Sequence, residues 1–423
     1  MKELVVRGRK YKLPLYLPDA TLGVVRGLDS RVLEEVGVEG VVVNSYHLND
    51  TPGLDVLKKF TEVNQSRLMI DDLGAKSENQ KRKSKETALF DKDYGCTEPS
   101  GIKAFMNFAG LVVSDSGGWQ IFSLIKRNQK KNIGGKITDQ GVQFASGGEN
   151  NRQLGVFTPE DSIRIQFELG ADILICLDDF TGADDNQVRI QESVERTILW
   201  AQRSRREFDR IVRAKGLNDK NRPLLFAVIQ GGWSKAMRRY CATELLKIGF
   251  DGYGYGGYMV NDAGELDEEM SRFIANLIPA EYPKFALGVG KPWDIARCRK
   301  FGWDIFDCVL PTRDGRHQRL YKLKREILFA KNDAVSTAAS IRSSDNDAWQ
   351  SPQSYEYLYI KRGRYATAVE PIDKDCQCFT CQNYSRGYLH HLFKINDILA
   401  YRLAVIHNLF VYHEVITELR KRN

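Results

Sequence analysis

The sequence predicts an α/β protein: a (β/α)8 barrel of the TIM type followed by a smaller C-terminal subdomain built on a cysteine cluster. Three observations lead there. Eight short apolar runs, partly β-branched or aromatic and bounded by Gly, Asp or Asn, punctuate the first 310 residues as buried strands do. Helix-like stretches separate several of them, and strands alternating with helices imply a parallel sheet. Beyond the last run, three cysteines crowd into Cys376-Gln-Cys378-Phe-Thr-Cys381. Eight strands close a barrel, whereas one missed strand would leave an open doubly wound sheet.

The apolar runs are residues 13–17, 40–44, 111–114, 173–177, 224–229, 252–255, 285–289 and 304–309. Thr158-Pro-Glu-Asp161 has the form of a capping box before IRIQFEL. Residues 193–212 read as one long helix with a charged face. Helices over 233–248 and 292–301 end at Gly249 and Gly302, and the tail 398–420 is helical in pattern. Three segments break the rhythm: a polar insertion at 64–100, a basic then Gly-rich loop or hairpin at 126–151, and a Ser-, Asp- and Gln-rich stretch at 334–370. There is no internal repeat. The expected division is a barrel over 1–330 and the subdomain over 331–423.

The chain has 423 residues, 62 Lys and Arg against 55 Asp and Glu, and a net charge of +7. That surplus permits a polyanionic partner without requiring one. No uncharged apolar run reaches the roughly 18 residues of a membrane span, and MKELVVRGRKYKLPL lacks the features of a secretory signal. Five of the eight cysteines are scattered singly, unlike a disulfide framework. The expectation is a cytoplasmic protein without membrane association.

Polar and unusually small residues follow most of the strand candidates. Asp115-Ser-Gly-Gly-Trp119-Gln120 follows LVVS, and Asp178-Asp179 follows ILICL. Gln230-Gly-Gly follows LLFAVI, Gly256-Gly257 follows GYGY, Gly288-Val-Gly290 follows Leu287, and Asp307 lies in the eighth run. A barrel gathers all of these on the one face where barrel enzymes keep their active sites. Glycine lets backbone approach a flat ligand, Asp and Gln supply fixed acceptors and a donor for a heterocycle edge, and Trp119 offers a stacking face. Taken singly, each has a plainer reading: a turn for Asp-Ser-Gly-Gly, a helix N-cap for Asp178-Asp179. Asp307 among apolar neighbours is the least plain, because a buried carboxylate is costly unless used or paired.

Cys376, Cys378 and Cys381 give C-x-C-x-x-C, which needs a fourth ligand to close a tetrahedral zinc site. His390, His391, His407 and His413 are the downstream candidates, and spacing does not choose among them. A closed set far in sequence from the carboxylates makes the zinc structural.

Taken together, PDATLGVVRGL (18–28), NSYHLNDTPGL (44–54), SDSGGWQIFS (114–123), FTPEDSI (157–163), VIQGG (228–232), GFDGYGYGG (249–257), LGVGKP (287–292), FDCVLPTRDGR (306–316), CQCFTC and HNL (407–409) resemble, in order and over nearly the whole chain, the tRNA-guanine transglycosylases, also called queuine tRNA-ribosyltransferases. The resemblance implies a barrel with a zinc-binding subdomain. It implies a pentosyltransferase that exchanges guanine in the tRNA anticodon loop for a 7-deazaguanine of the preQ1 or queuine type, as in queuosine modification. Its partners would be tRNA and the free guanine and 7-deazaguanine bases, with a homodimer left open. By motif, Asp307 resembles the nucleophile at ribose C1′ and Asp115 the proton-transferring acid/base. Asp178, Gln230 and the Gly257 backbone resemble the base-reading groups, with Trp119 and Leu287 the walls of the base sandwich. Arg313 and Arg316 resemble the anticodon-loop contacts, and His407 the fourth zinc ligand.

Some residues depart from the family pattern. Trp119 replaces Phe or Tyr, Phe180 a small residue or Cys, Tyr258 a Leu, and His317-Gln318 an Asn-Gly. Basic stretches at 76–85 and 126–136 are candidate backbone contacts beside Arg313 and Arg316. The rival readings are a relative that inserts the base into DNA, a non-catalytic RNA-binding partner subunit, and a two-carboxylate barrel hydrolase. Retention of both Asp115 and Asp307 argues against the non-catalytic subunit.

Overall fold

All eight apolar runs become strands of one parallel sheet in the computed structural model, which describes residues 2–62, 101–119, 122–123, 135–146, 153–182, 184–260, 264–325 and 354–422. They are β1 (Leu15–Pro18), β2 (Gly40–Asn44), β3 (Leu111–Asp115), β4 (Ile173–Ile175), β5 (Leu224–Ile229), β6 (Gly252–Tyr255), β7 (Lys284–Ala286) and β8 (Ile305–Cys308). Each pairs with its successor from β2 to β8. β8 pairs with β1, and a parallel bridge from Asp19 to Val42 joins β1 to β2. The sheet returns on itself, which decides for the barrel over the open sheet.

Side chains alternate between two apolar cores, as the two-residue period of a strand requires. Leu15, Leu17, Val42, Leu111, Val113, Ile173, Phe226, Val228, Phe285 and Ile305 share the interior cluster. The intervening Tyr16, Val41, Val112, Leu174, Leu225, Ala227 and Phe306 pack outward with the helices.

The helix over Pro159–Glu168 carries the expected capping box of Thr158 and Asp161. The long helix runs Gln187–Ala214, earlier than its apolar pattern suggested, because Asn186 caps it by accepting from the Arg189 N–H. The other expected helices are Lys235–Ile248, Pro292–Lys300 and Ile398–Lys421.

Some structure was not foreseen. A hairpin of Glu3–Val6 and Arg9–Lys12 precedes the barrel, and its Leu4 and Val6 join the interior core. Lys2, Arg7 and Arg9 tie it to the lower strand ends at Asp304, Ala171 and Ala109. The 126–151 expectation resolves in part into the hairpin Lys136–Thr138 and Gly141–Ser146, with Gln153–Phe157 as a third strand. Within 334–370, Tyr355–Tyr359 pairs antiparallel with Arg319–Leu323. The expected division at 330 falls outside the described residues, between these two paired strands. Residues 76–85 and 126–134 also lie outside them. No described helix is long and apolar enough to cross a membrane.

Candidate active site and metal centre

On six of the eight strands, the interior parity carried one step past the last core residue reaches the site. It gives Asp19 after Leu17, Asn44 after Val42, Asp115 after Val113, Gln230 after Val228, Leu287 after Phe285 and Asp307 after Ile305. The barrel's inner layer therefore turns from aliphatic to polar at the C-terminal strand ends, the face on which barrel active sites form.

Asp307 accepts a hydrogen bond from the Gly288 N–H at 2.9 Å. Burial pushes its carboxyl up to about 6; the Gly288 bond opposes that rise and the Asp19 charge adds to it. Asp115 stands in register with Asn44 on β2. The Asn44 amide donates to Asp115 Oδ2 at 2.7 Å, and the Gly117 N–H donates to Oδ1 at 3.1 Å. Asn44 is itself held, because its Oδ1 accepts from the His47 N–H and caps the next helix.

Asp178 and Asp179 point to different work. Asp179 is buried and paired with Arg189 and Arg196. Asp178 accepts from the Gln230 amide at 2.6 Å. Burial pushes the Asp178 carboxyl up to about 6, opposed by the Gln230 bond and reinforced by the Asp179 charge. Neither caps the following helix, so the plain N-cap reading is corrected: Asn186 has that role.

Gln230 is fully buried and needs glycine beside it. A Cβ on Gly256 would lie 2.7 Å from Gln230 Cδ and 2.8 Å from the Ile229 carbonyl. Arg238, also buried, donates to the carbonyls of Ile229, Gly232 and Gly256 at 2.5, 2.9 and 2.7 Å. It lies 4.7 Å from the Tyr255 ring centroid and so straps together the loops carrying Gln230 and Gly257. Phe180 contacts Phe122 and Tyr258 with centroids 5.2 and 5.1 Å apart, an aromatic wall beside Asp178 and Gly257. Of the two expected sandwich walls, Trp119 is 46% exposed at its turn, and Leu287 leans on the interior core.

Arg313 and Arg316 lie on the short helix Leu310–Arg316 after β8. Burial, Arg26 and Arg313 disfavour the charged form of Arg316, while Asp19 favours it. Guanidiniums gathered this closely suit an anionic ligand.

Cys376, Cys378, Cys381 and His407 converge on one buried point, with ligand atoms within 4.8 Å of one another. The sulfurs lie 3.7, 3.5 and 3.4 Å from His407 Nδ1. Metal–ligand bonds of about 2.3 Å to sulfur and 2.0–2.1 Å to nitrogen put tetrahedral S···N edges at about 3.6 Å. His407 Nε2 lies 2.6 Å from the Tyr321 carbonyl and must donate to it, which leaves the Nδ1 lone pair facing the thiols. The cluster can hold a metal ion. Among the rival histidines, His390 Nδ1 is engaged by the Ile360 carbonyl and His413 Nδ1 by that of Gly37.

A family profile described as Queuine tRNA-ribosyltransferase matches residues 85–422. This chain belongs to the queuine tRNA-ribosyltransferase family. It is 32% identical over 409 residues to the Queuine tRNA-ribosyltransferase of Blochmanniella floridana, covering 96% of this chain and 85% of that protein. Proteins of the same name from Aliivibrio salmonicida (strain LFI1238) and Methylacidiphilum infernorum (isolate V4) are 31% and 30% identical, over 96% of this chain and 86% and 87% of theirs. By name these relatives are pentosyltransferases. Asn44, Arg238, Arg26 and Asp19 stand at this family member's barrel mouth without having been singled out in the sequence. Asn44, Asp19 and Arg26 lie inside quoted motifs, and the interior parity of β1 and β2 was the available signal for Asp19 and Asn44. Arg238 carried none, since a helical arginine reads as surface.

Proposed function

We propose that this chain exchanges a guanine of the tRNA anticodon loop for a 7-deazaguanine of the preQ1 or queuine type through a ribosyl ester on Asp307. The observation that carries the reading is the placement of Asp307, Asp115, Asp178 and Gln230 at one barrel mouth in a chain of this family.

The target nucleotide leaves its stack to reach the mouth. The ionised Asp307 carboxylate attacks C1′ and the bond to guanine breaks, while Asp115 protonates the departing base. The incoming base gives a proton to Asp115 and attacks C1′, and the bond to Asp307 breaks. Two inversions give overall retention, as in retaining glycosidases. Asp178 accepts from N1–H and the 2-amino group together, Gln230 and the Gly257 backbone meet the remaining edge, and Trp119 and Leu287 flank the ring. Arg313 and Arg316, with Arg26, hold the loop phosphates. Cys376, Cys378, Cys381 and His407 would hold zinc with four protein ligands, a closed set that would make the metal structural and leave no position for water.

Radiolabelled guanine offered with either tRNA or duplex DNA tests the reading. Label should enter tRNA and be chased out by a 7-deazaguanine. Label in DNA alone, or release of guanine without exchange, contradicts it.

A further inference from the structure

We propose that Asp19 is a third acidic group of the reaction centre: a positioning residue that keeps a second negative charge beside Asp307. The inference rests on the functional reading above.

Sheet register places the residue. Leu17 stands opposite Asp307 across the β1–β8 pair, and Asp19 follows Leu17 by two residues. The bridge to Val42, with the Ala20 N–H donating to the Val42 carbonyl at 2.7 Å, keeps this segment extended and its alternation intact. Asp19 therefore shares the interior face with Asp307 on the neighbouring strand. The Thr21 hydroxyl donates to its Oδ1 and fixes the carboxylate. An apolar residue would simply continue the aliphatic set of Leu15 and Leu17, and this chain has a carboxylate there instead.

Two groups feel the Asp19 charge. It raises the Asp307 carboxyl, and it supports the charged form of Arg316 against Arg26 and Arg313. The titratable neighbours of Asp307 are Asp19 and Tyr16 from β1 and Cys308 on its own strand, with the Gly288 N–H above β7. Ribosyl transfer passes through an oxocarbenium-like transition state in which positive charge grows at C1′. A second fixed carboxylate beside the nucleophile stabilises that charge without bonding to it.

Two measurements on the full chain test this: an NMR titration of 13C-carboxyl aspartates without substrate, and the pH profile of guanine exchange into tRNA. In Asp19→Asn the Asp307 midpoint should fall by about half a unit to one unit. The acidic limb of kcat/KM should move with it, and kcat should drop about tenfold, with part of the loss restored in Asp19→Glu. Should Asp19→Asn not fold, Thr21→Val frees the carboxylate while keeping its charge, and it should lower kcat with a smaller midpoint shift. An unmoved Asp307 midpoint together with kcat within about twofold of wild type overturns the proposal. If Asp19→Asn shifts the Asp307 midpoint but the wild-type chain exchanges no base with tRNA, the transglycosylase reading is overturned and the Asp19–Asp307 coupling stands.

Discussion

Asp307 and Asp178 each carry a proton affinity pushed up to about 6 by burial. Both proposed roles need the ionised form, so exchange should fall steeply as pH drops through about 6, where an unperturbed carboxylate would persist to about 4. A pH profile flat to about 4.5 would contradict this. The sign for stability is the reverse of a salt-bridged acid. A folded-state pKa above the unfolded value means the native chain binds more protons between about 4 and 6, so these groups cost stability as pH rises through that window. Asp307→Asn should therefore fold, abolish exchange and gain about 1–3 kcal/mol at pH 7.5, seen as a raised Tm. Adenine offers no N1–H and 2-amino pair to Asp178, so it should not be incorporated; measurable adenine exchange would refute that assignment. The places of Asp115, Asp178 and Asp307 were legible in the sequence because each lies in or just after an apolar run that reads as a strand. Asn44 was signalled only by the interior parity of its strand and takes its place by standing in register with Asp115, and Arg238 carried no signal, because its role comes from reaching three carbonyls across two loops.

The eight strands were legible because each is apolar, short and closed by a turn residue. The first hairpin was not: RKYK is three parts charged, and its Tyr11 finds burial only against the barrel's interior core. Tyr355–Tyr359 hid in a polar stretch because its partner lies on the far side of a long segment. The helix Leu310–Arg316 crosses Ile398–Lys421 at Gly315, where a Cβ would lie 3.1 Å from the Val405 nitrogen. Asn408, next to His407, donates to the Pro311 and Arg319 carbonyls at 3.0 Å. The helix carrying His407 thus packs against the segment that carries Arg313 and Arg316. Each of Arg313→Ala and Arg316→Ala should flatten the log–log salt dependence of tRNA affinity by about one unit if it meets a phosphate, and an unchanged slope removes that residue from the interface. Gln318 adopts φ 68°, a left-handed conformation that suits glycine. Gln318→Gly should gain about 0.5–1 kcal/mol in denaturant unfolding.

At the scale of the molecule, the barrel that carries the proposed reaction centre is joined to a unit whose Cys376, Cys378, Cys381 and His407 could hold a metal ion. Binding of the metal is coupled to folding, so Cys378→Ser should lower Tm and solubility first, with exchange falling in proportion to folded protein. Zinc content should collapse in His407→Ala but not in His390→Ala or His391→Ala; full occupancy in the His407 variant would show the ligand to be another residue. The central claim is that Asp307 takes the ribose. The most direct measurement is denaturing electrophoresis of the chain incubated with tRNA and a slowly transferred base analogue. Wild type should give a protein–RNA band that survives denaturation and is cleared by excess guanine, and Asp307→Asn should give none. An equal band, or near-normal exchange, from Asp307→Asn would contradict the account.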